Sequence, residues 1–176
     1  MSLLVITGPP GVGKSAVAIV LAQRVERSAL VAGDAFFAFL QRGAIDPWLA
    51  GADQQNALVT AAAAAATGRF AREYETIYDG VVGPWYLPEF AAAVGLPSFD
   101  YAVLLPEEST CVGRVRTRPG HGFTDLPSAR HLHAQFALRR EGMDPRHYLV
   151  DLPTTVEEVA SYVLDERASG RFLHQI

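Results

Sequence analysis

Eight residues near the start of the chain constrain its fold more than any other segment. Residues 8–15 read Gly-Pro-Pro-Gly-Val-Gly-Lys-Ser and fit the pattern G-x-x-x-x-G-K-[ST]. Such a glycine-rich turn lets backbone N–H groups surround phosphate oxygens, and the positive end of a following helix points at the same anion. The flanking residues agree, because residues 3–6 are an apolar run typical of a buried strand and residues 15–27 have the periodicity of an amphipathic helix. The segment predicts a strand, a phosphate-binding loop and a helix.

The lysine of this loop has a chemical reason to be there. Lys14 is the only lysine in the sequence, and all the other residues counted as Lys or Arg are arginines. A compact ammonium on a flexible stem can reach the β- and γ-phosphates of a nucleotide, a niche for which guanidinium is too broad and planar. The next residue, Ser15, offers a hydroxyl that can ligate Mg²⁺. We therefore predict that the chain binds a nucleoside triphosphate through Gly8, Pro10, Gly11, Val12, Gly13, Lys14 and Ser15.

Composition narrows the class of protein. The chain has 176 residues, 49% of them hydrophobic, which predicts one domain with a full-sized core over residues 1–176. Its net charge of −4 argues against a general nucleic-acid or anionic-membrane surface. Cys111 is the only cysteine, so neither a disulfide framework nor a thiolate metal site is expected. The N-terminus lacks the features of a signal peptide, and a cytoplasmic protein without a membrane span is expected.

Strand and helix patterns alternate from end to end. After the first strand, further strands are predicted at residues 29–32, 74–78, 101–105 and 147–150. Helices are predicted at residues 36–42, from a capping Asp53 to about Gly68, and at 87–94, 107–117, 127–141 and 155–167, the last capped by Thr154 or Thr155. Residues 117–127 are expected to form a short mobile lid. This order implies a parallel sheet with helices on both faces and ligands beyond the carboxyl ends of its strands.

Asp34, Asp79 and Asp151 fall at predicted strand ends, and the first two are candidates for chemistry. Asp34 follows the second strand and could orient and deprotonate an acceptor hydroxyl, or ligate Mg²⁺, or merely cap the helix that begins at Ala35. Asp79 ends the third strand in the manner of a carboxylate that holds Mg²⁺ directly or through water. Its other interpretation is an ordinary turn aspartate before Gly80.

Arginines and histidines surround the predicted lid. Arg114 and Arg118 are four residues apart, so they can share a helix face while Arg116 points away. Such arginines can stack on a base or clamp a transferring phosphoryl group, or simply complement the negative end of a helix. The nearby histidines have no metal-ligand spacing and are interpreted as surface residues or acceptor contacts; they are His121, His131 and His133.

Aromatic residues are concentrated after the second and third strands. They are Phe36, Phe37, Phe39, Trp48, Trp85 and Tyr86. Core packing accounts for some of the phenylalanines, but Trp48 and Trp85 stand beside prolines in predicted loops. They predict an acceptor pocket with an apolar wall or a sugar-stacking face.

These residues together resemble the small P-loop kinases, a group that includes gluconate kinase, shikimate kinase, adenylate kinase and chloramphenicol phosphotransferase, and in particular gluconate-kinase-like ATP-binding proteins. The resemblance rests on Ile6–Ser15, Gly33-Asp34, Pro47-Trp48, Asp79, the turn at residues 142–146 and the ending Ser169–Phe172. It implies an α/β three-layer fold with a five-stranded parallel sheet in the order 2-3-1-4-5. It also implies that Asp79 lies near Ser15, that Asp34 is the acceptor-side carboxylate, that Arg114 and Arg118 are lid arginines, and that residues 152–154 flank the adenine.

We therefore expect an ATP- and Mg²⁺-dependent kinase that phosphorylates a hydroxyl of a small molecule, such as a sugar acid or an antibiotic-like alcohol. In this hypothesis the catalytic residues are Lys14, Asp34 and Arg118; Arg114 joins the loop in binding ATP; Ser15 and Asp79 hold the metal; and the acceptor lies against Asp34, Phe37, Trp48 and Trp85. The alternatives are a regulatory nucleotide-binding switch and a kinase for nucleic-acid ends. The expected partner is a small-molecule acceptor, with no general binding of nucleic acid or membrane, and the protein is expected to be a monomer or dimer.

Overall fold

The computed structural model describes residues 2–117 and 123–176. The strands in these residues are β1 (Leu3–Thr7), β2 (Ser28–Ala32), β3 (Glu75–Asp79), β4 (Ser98–Leu104), β5 (Tyr148–Leu149) and β6 (Leu173–Gln175). The α-helices are α1 (Lys14–Gln23), α2 (Asp53–Ala71), α3 (Leu87–Val94), α4 (Glu108–Thr117), α5 (Leu126–Arg139) and α6 (Val156–Ala168). Short 3₁₀ segments occupy Gly33–Phe39, Arg140–Gly142 and Pro145–His147. No helix within the described ranges is both long and apolar enough to cross a bilayer.

The sheet has the predicted strand order, β2-β3-β1-β4-β5, and these five strands are parallel. The central strand β1 carries the phosphate-binding loop at its carboxyl end. One strand was not predicted: β6 runs antiparallel to the first half of β4, whereas β5 pairs with the second half. The two short strands therefore share one edge of β4.

Side chains of the central strand alternate between two hydrophobic cores. Leu3 and Val5 pack on the face covered by α2, α3 and Phe136 of α5. Leu4 and Ile6 pack on the opposite face, against α1 and α6. All four are buried, and burying a leucine or isoleucine fully contributes roughly 1.5–3 kcal/mol. The sheet is thus buried on both sides, as the apolar run of β1 predicts.

Helix α2 differs from its prediction at both ends. The predicted cap Asp53 is wrong, because the N-cap position is Ala52 and no side chain bonds there. The helix also continues through Gly68 to Ala71. A Cβ at Gly68 would overlap the carbonyl oxygen of Val94 and lie 2.8 Å from its carbon. Glycine is therefore required at this position for the close approach of α2 to α3, and it does not end the helix.

Helix α6 begins with a capping box in which Thr155, one of the two predicted caps, is the N-cap residue. The Thr155 hydroxyl accepts from the Glu158 N–H at 3.2 Å, and the Glu158 carboxylate accepts from the Thr155 N–H at 3.1 Å. Near the other end of the helix, Arg167 bonds Asp100 at 2.7 Å and Glu75 at 2.6 Å. These partly buried ion pairs tie α6 to β3 and β4.

Candidate active site

The phosphate-binding loop is shaped by three glycines in the left-handed region. Gly8, Gly11 and Gly13 have φ angles of 144°, 81° and 101°. A Cβ at Gly11 would lie 2.9 Å from a Val115 methyl and 3.0 Å from the Cys111 carbonyl carbon. Gly13 is the N-cap of α1, and no side chain caps that helix. The loop therefore leaves backbone N–H groups at the helix start for an anion, and α4 packs too closely behind it for side chains.

Two cations hold this loop. The buried Lys14 donates from Nζ to the carbonyl oxygen of Pro9 at 3.2 Å, and Arg114 donates from Nη1 to that of Val12 at 3.0 Å. Both side chains line the cleft beside the loop. A glycine cradle with an ammonium and a guanidinium beside it fits a triphosphate in shape and charge.

The sheet register brings Asp79 to the base of the loop. Asp79 pairs with Ile6, the residue before the last residue of β1. The segment that follows Asp79 is held against the end of β1 by two hydrogen bonds. The Thr7 hydroxyl accepts from the Val82 N–H at 2.9 Å and donates to the Val82 carbonyl oxygen at 3.2 Å. The side chain of Asp79 is half-buried, and it is not among the residues that line the cleft.

The residues near the loop suit a magnesium ion held jointly with a nucleotide. Hydroxyl and carboxylate oxygens are ligands that Mg²⁺ accepts, and Ser15 lies in the cleft wall. Within residues 2–117 and 123–176, no group of three or more histidine, cysteine, aspartate or glutamate side chains could hold a metal by itself. Mg²⁺ commonly takes one or two protein ligands and completes its shell with water and phosphates, which this arrangement allows.

Asp34 lies in the 3₁₀ segment after β2, with its side chain exposed to the cleft. It does not cap a helix, because the N-cap position is Ala32 and no side chain bonds there. Tyr78 lies against the preceding residue, Gly33, because a Cβ added there would be 2.6 Å from the Tyr78 ring. Burial raises the pKa of Tyr78 well above the ordinary tyrosine range, and the charges of Asp34 and Asp79 raise it further. A neutral phenol therefore lies within the electrostatic reach of both carboxylates.

One continuous cleft of about 1600 Å³ joins the phosphate loop to the predicted acceptor residues. The four predicted acceptor residues all line it; they are Asp34, Phe37, Trp48 and Trp85. Residues 152–154, predicted to flank the adenine, also line it. Of the predicted nucleotide-binding residues, Gly8 does not line the cleft, and the others do.

Aromatic rings form much of the wall away from the phosphate loop. Trp48 meets Phe123 edge to face, with ring centroids 5.0 Å apart. Trp85 contacts Phe136 at 5.1 Å and also packs against Tyr86. Phe39 does not belong to this wall, because it is 76% exposed and does not line the cleft. The acceptor end of the cleft is therefore partly apolar, as the two tryptophans predict.

The predicted arginine site is only partly described. Arg114 lines the cleft, whereas Arg116 is exposed and does not, which agrees with their predicted faces. Arg118 and His121 lie outside the described residues. Arg130 is 3.6 Å from Glu108 in an exposed ion pair. His133 bonds the Pro106 carbonyl oxygen through Nε2 at 2.8 Å.

Several residues of the cleft were missed by the sequence analysis. They are Asp53, Asn56 and Thr60 of α2, which all line it. Tyr86 and His131, which the sequence analysis did name as residues near the acceptor, line it as well. The spacing of the α2 residues was the available signal, because positions three and four apart share a helix face. It was obscured because the alanine-rich helix was interpreted as a packing element only.

Comparisons with known proteins identify the fold. No protein-family model matches the sequence, and no curated protein sequence matches it. Solved structures do match. The tunicamycin resistance protein of Deinococcus radiodurans has a TM-score of 0.69 at 18% identity, covering 94% of this chain and 95% of that one.

Two further neighbours are kinases. A sugar kinase from Janibacter sp. has a TM-score of 0.68 at 21% identity, covering 96% of this chain and 95% of that one. A gluconokinase from Sinorhizobium meliloti has a TM-score of 0.66 at 20% identity, covering 97% of this chain and 93% of that one. At such identities the likeness establishes the fold alone, and this chain has the fold of the small P-loop kinases.

Proposed function

We propose that the protein is an ATP- and Mg²⁺-dependent phosphotransferase that phosphorylates a hydroxyl group of a small molecule. The observation that carries the proposal is one continuous cleft, which is lined by the phosphate loop at one end and by Asp34 with an aromatic wall at the other. Phosphoryl transfer needs a nucleotide and an acceptor in line in one site, and most of its catalysis is positioning and charge stabilisation. The fold shared with a sugar kinase and a gluconokinase supports this assignment.

Each residue has a role in this proposal. Lys14, the loop N–H groups and Arg114 bind the phosphates of the nucleotide. Ser15 and Asp79 would hold Mg²⁺, which supplies neutralisation of phosphate charge when it is bound. Asp34 orients the acceptor hydroxyl and takes its proton, while Phe37, Trp48 and Trp85 hold the acceptor body. Arg118 is proposed to add positive charge at the transferring group.

The first test measures ATP consumption with Mg²⁺ across a panel of hydroxyl compounds. One class of acceptor should raise turnover well above basal hydrolysis, and Lys14→Ala should lower the stimulated rate roughly 100- to 1000-fold because a preorganised cationic donor is lost. Arg116→Ala is the control, because Arg116 does not line the cleft. If ATP binds but no acceptor raises turnover, the proposal is wrong and a regulatory nucleotide-binding switch takes its place.

The role of Asp34 is separable from metal binding. Asp34→Asn should abolish most acceptor-stimulated turnover and leave the affinity for Mg²⁺-ATP unchanged. Asp46→Asn is a matched control, because Asp46 is an exposed carboxylate that does not line the cleft. A loss of Mg²⁺-ATP affinity in Asp34→Asn would instead make Asp34 a metal ligand.

A further inference from the structure

The described cations of the cleft lie at its nucleotide end, whereas carboxylates line both ends, because Glu107 and Asp151 line it beside the segments assigned to the nucleotide. The cations among its described residues, Lys14 and Arg114, both bond carbonyl oxygens of the phosphate loop. At the acceptor end, the described carboxylates are Asp34 and Asp53. Asp53 lies in the first turn of α2, where the helix dipole favours a negative charge. An acceptor with its own negative charge would therefore be held beside Asp34 and Asp53 and away from Lys14 and Arg114.

The aromatic rings at the acceptor end suit a ligand that presents an apolar or cationic face to them. Trp48 with Phe123, and Trp85 with Tyr86, present ring surface to the cleft. Aromatic faces attract apolar groups and ammonium ions, and they repel anions because the ring face is negative.

Asn56 adds a hydrogen-bond acceptor to this end. It is the only asparagine in the sequence, is 9% exposed and lines the cleft. Its Nδ2 donates to the Pro47 carbonyl oxygen at 2.8 Å, and the same side chain also interacts with the Tyr86 phenol, so the orientation of the amide is fixed. Its buried Oδ1 has no hydrogen-bond partner among the described residues. A buried acceptor without a donor is costly, so this atom is suited to an N–H or O–H group of a ligand.

We propose that the acceptor is an alcohol without negative charge, either uncharged or amine-bearing, with an apolar face and a donor group for Asn56. This inference rests on the proposed phosphotransferase function and names its substrate class. Of the two acceptor classes that the sequence left open, it selects against sugar acids.

The two tryptophans of the chain allow a binding test that does not depend on turnover. Both line the acceptor end, so tryptophan fluorescence reports on ligands there. The probes are pairs that differ in charge: mandelamide and mandelate, gluconamide and gluconate, methyl shikimate and shikimate. Titrations are made with Mg²⁺ and a non-hydrolysable ATP analogue at pH 8, where an ordinary imidazole is neutral. The uncharged member should bind at least about tenfold more tightly in each pair that binds.

A second measurement tests Asn56 itself. Asn56→Leu should weaken mandelamide about tenfold and leave N,N-dimethylmandelamide, which lacks the N–H donor, nearly unchanged. Thr67→Val is the control, because it removes another buried hydrogen-bonding group of α2, bonded to the Ala63 carbonyl at 2.7 Å and away from the cleft. Equal losses for both amides would show that Asn56 acts only by anchoring Pro47.

The outcomes separate this inference from the proposed function. Equal or tighter binding of the acid members, or no binding by any member, overturns the inference. Tight binding of uncharged members without any acceptor-stimulated ATP turnover leaves the binding preference standing and refutes the phosphotransferase. A phosphorylated acid in the turnover panel refutes the inference and leaves the phosphotransferase standing.

Discussion

The contact between α2 and α3 predicts opposite effects for two glycine-to-alanine changes. Gly68 and Gly113 lie inside α2 and α4. In a helix interior, alanine is favoured over glycine by about 0.5–1 kcal/mol because glycine loses more backbone freedom on folding. A Cβ at Gly113 meets open space, so Gly113→Ala should raise the free energy of unfolding by this amount.

Gly68 has no such space. Its added Cβ would lie 2.8 Å from the Val94 carbonyl carbon, where ordinary carbon contacts are about 3.5–4.0 Å, and α2 and α3 must separate by about 1 Å. Overpacking costs roughly 1–3 kcal/mol, and the upper half of that range applies because the obstructing atoms are backbone. After the helix gain is subtracted, Gly68→Ala should lower the free energy of unfolding by about 1–2.5 kcal/mol.

Urea unfolding followed by circular dichroism measures both changes, and thermal unfolding checks them. For a chain of this size, 1 kcal/mol corresponds to a shift of about 2–4 °C in Tm. Gly113→Ala is the matched control, since it makes the same chemical change in a helix without the backbone contact. Equal stabilisation by the two substitutions would refute the close approach of α2 to α3.

Three other predictions test the supports of the site. Arg167→Met should lower the free energy of unfolding by about 3 kcal/mol in urea titrations, because it leaves partly buried carboxylates unpaired. Arg146→Met, which breaks an exposed ion pair, should change it much less. Thr7→Val should lower the free energy of unfolding by about 1–3 kcal/mol, because the buried Val82 N–H loses its hydrogen-bond acceptor. Thr7→Ser keeps the hydroxyl and should therefore retain most of this stability. Burial lowers the pKa of His147 below its value in the unfolded chain, which is near 6.5. The neutral imidazole therefore contributes its full stability above about pH 6.5, and this contribution is lost as the pH falls toward the lowered pKa. His147→Asn should flatten this pH dependence in urea midpoints measured from about pH 7.5 to 5.5.

Local sequence was enough to predict the phosphate-binding end. The order of strand, glycine loop and helix follows from neighbouring residues, and α3 has the predicted bounds, residues 87–94. The sixth strand was missed because β6 has three residues and forms only by pairing with β4. The end of α2 was misplaced because glycine usually weakens a helix, and the reason for Gly68 lies across the contact with Val94.

The acceptor end was harder to predict because its residues converge from separate elements. Trp48 and Trp85 were found because a tryptophan beside a proline in a loop is difficult to assign to a core. Asn56 was missed because its significance depends on the Pro47 carbonyl, nine residues earlier, which holds one side of its amide and leaves the other without a donor. The individual roles assigned to site residues stay predictions.

The nucleotide end of the cleft is formed mainly by backbone and the acceptor end mainly by side chains, so substitutions should affect the two ends differently. The nucleotide end is largely backbone: Gly8 and Gly11 leave no room for a Cβ, and hydrogen bonds join Thr7 to Val82. The acceptor end consists of side chains from the 3₁₀ segment Gly33–Phe39, from α2 and α5, and from two loops. A substitution at Asn56 should therefore alter the KM for the acceptor and leave the KM for ATP unchanged, because no backbone of the phosphate loop depends on it.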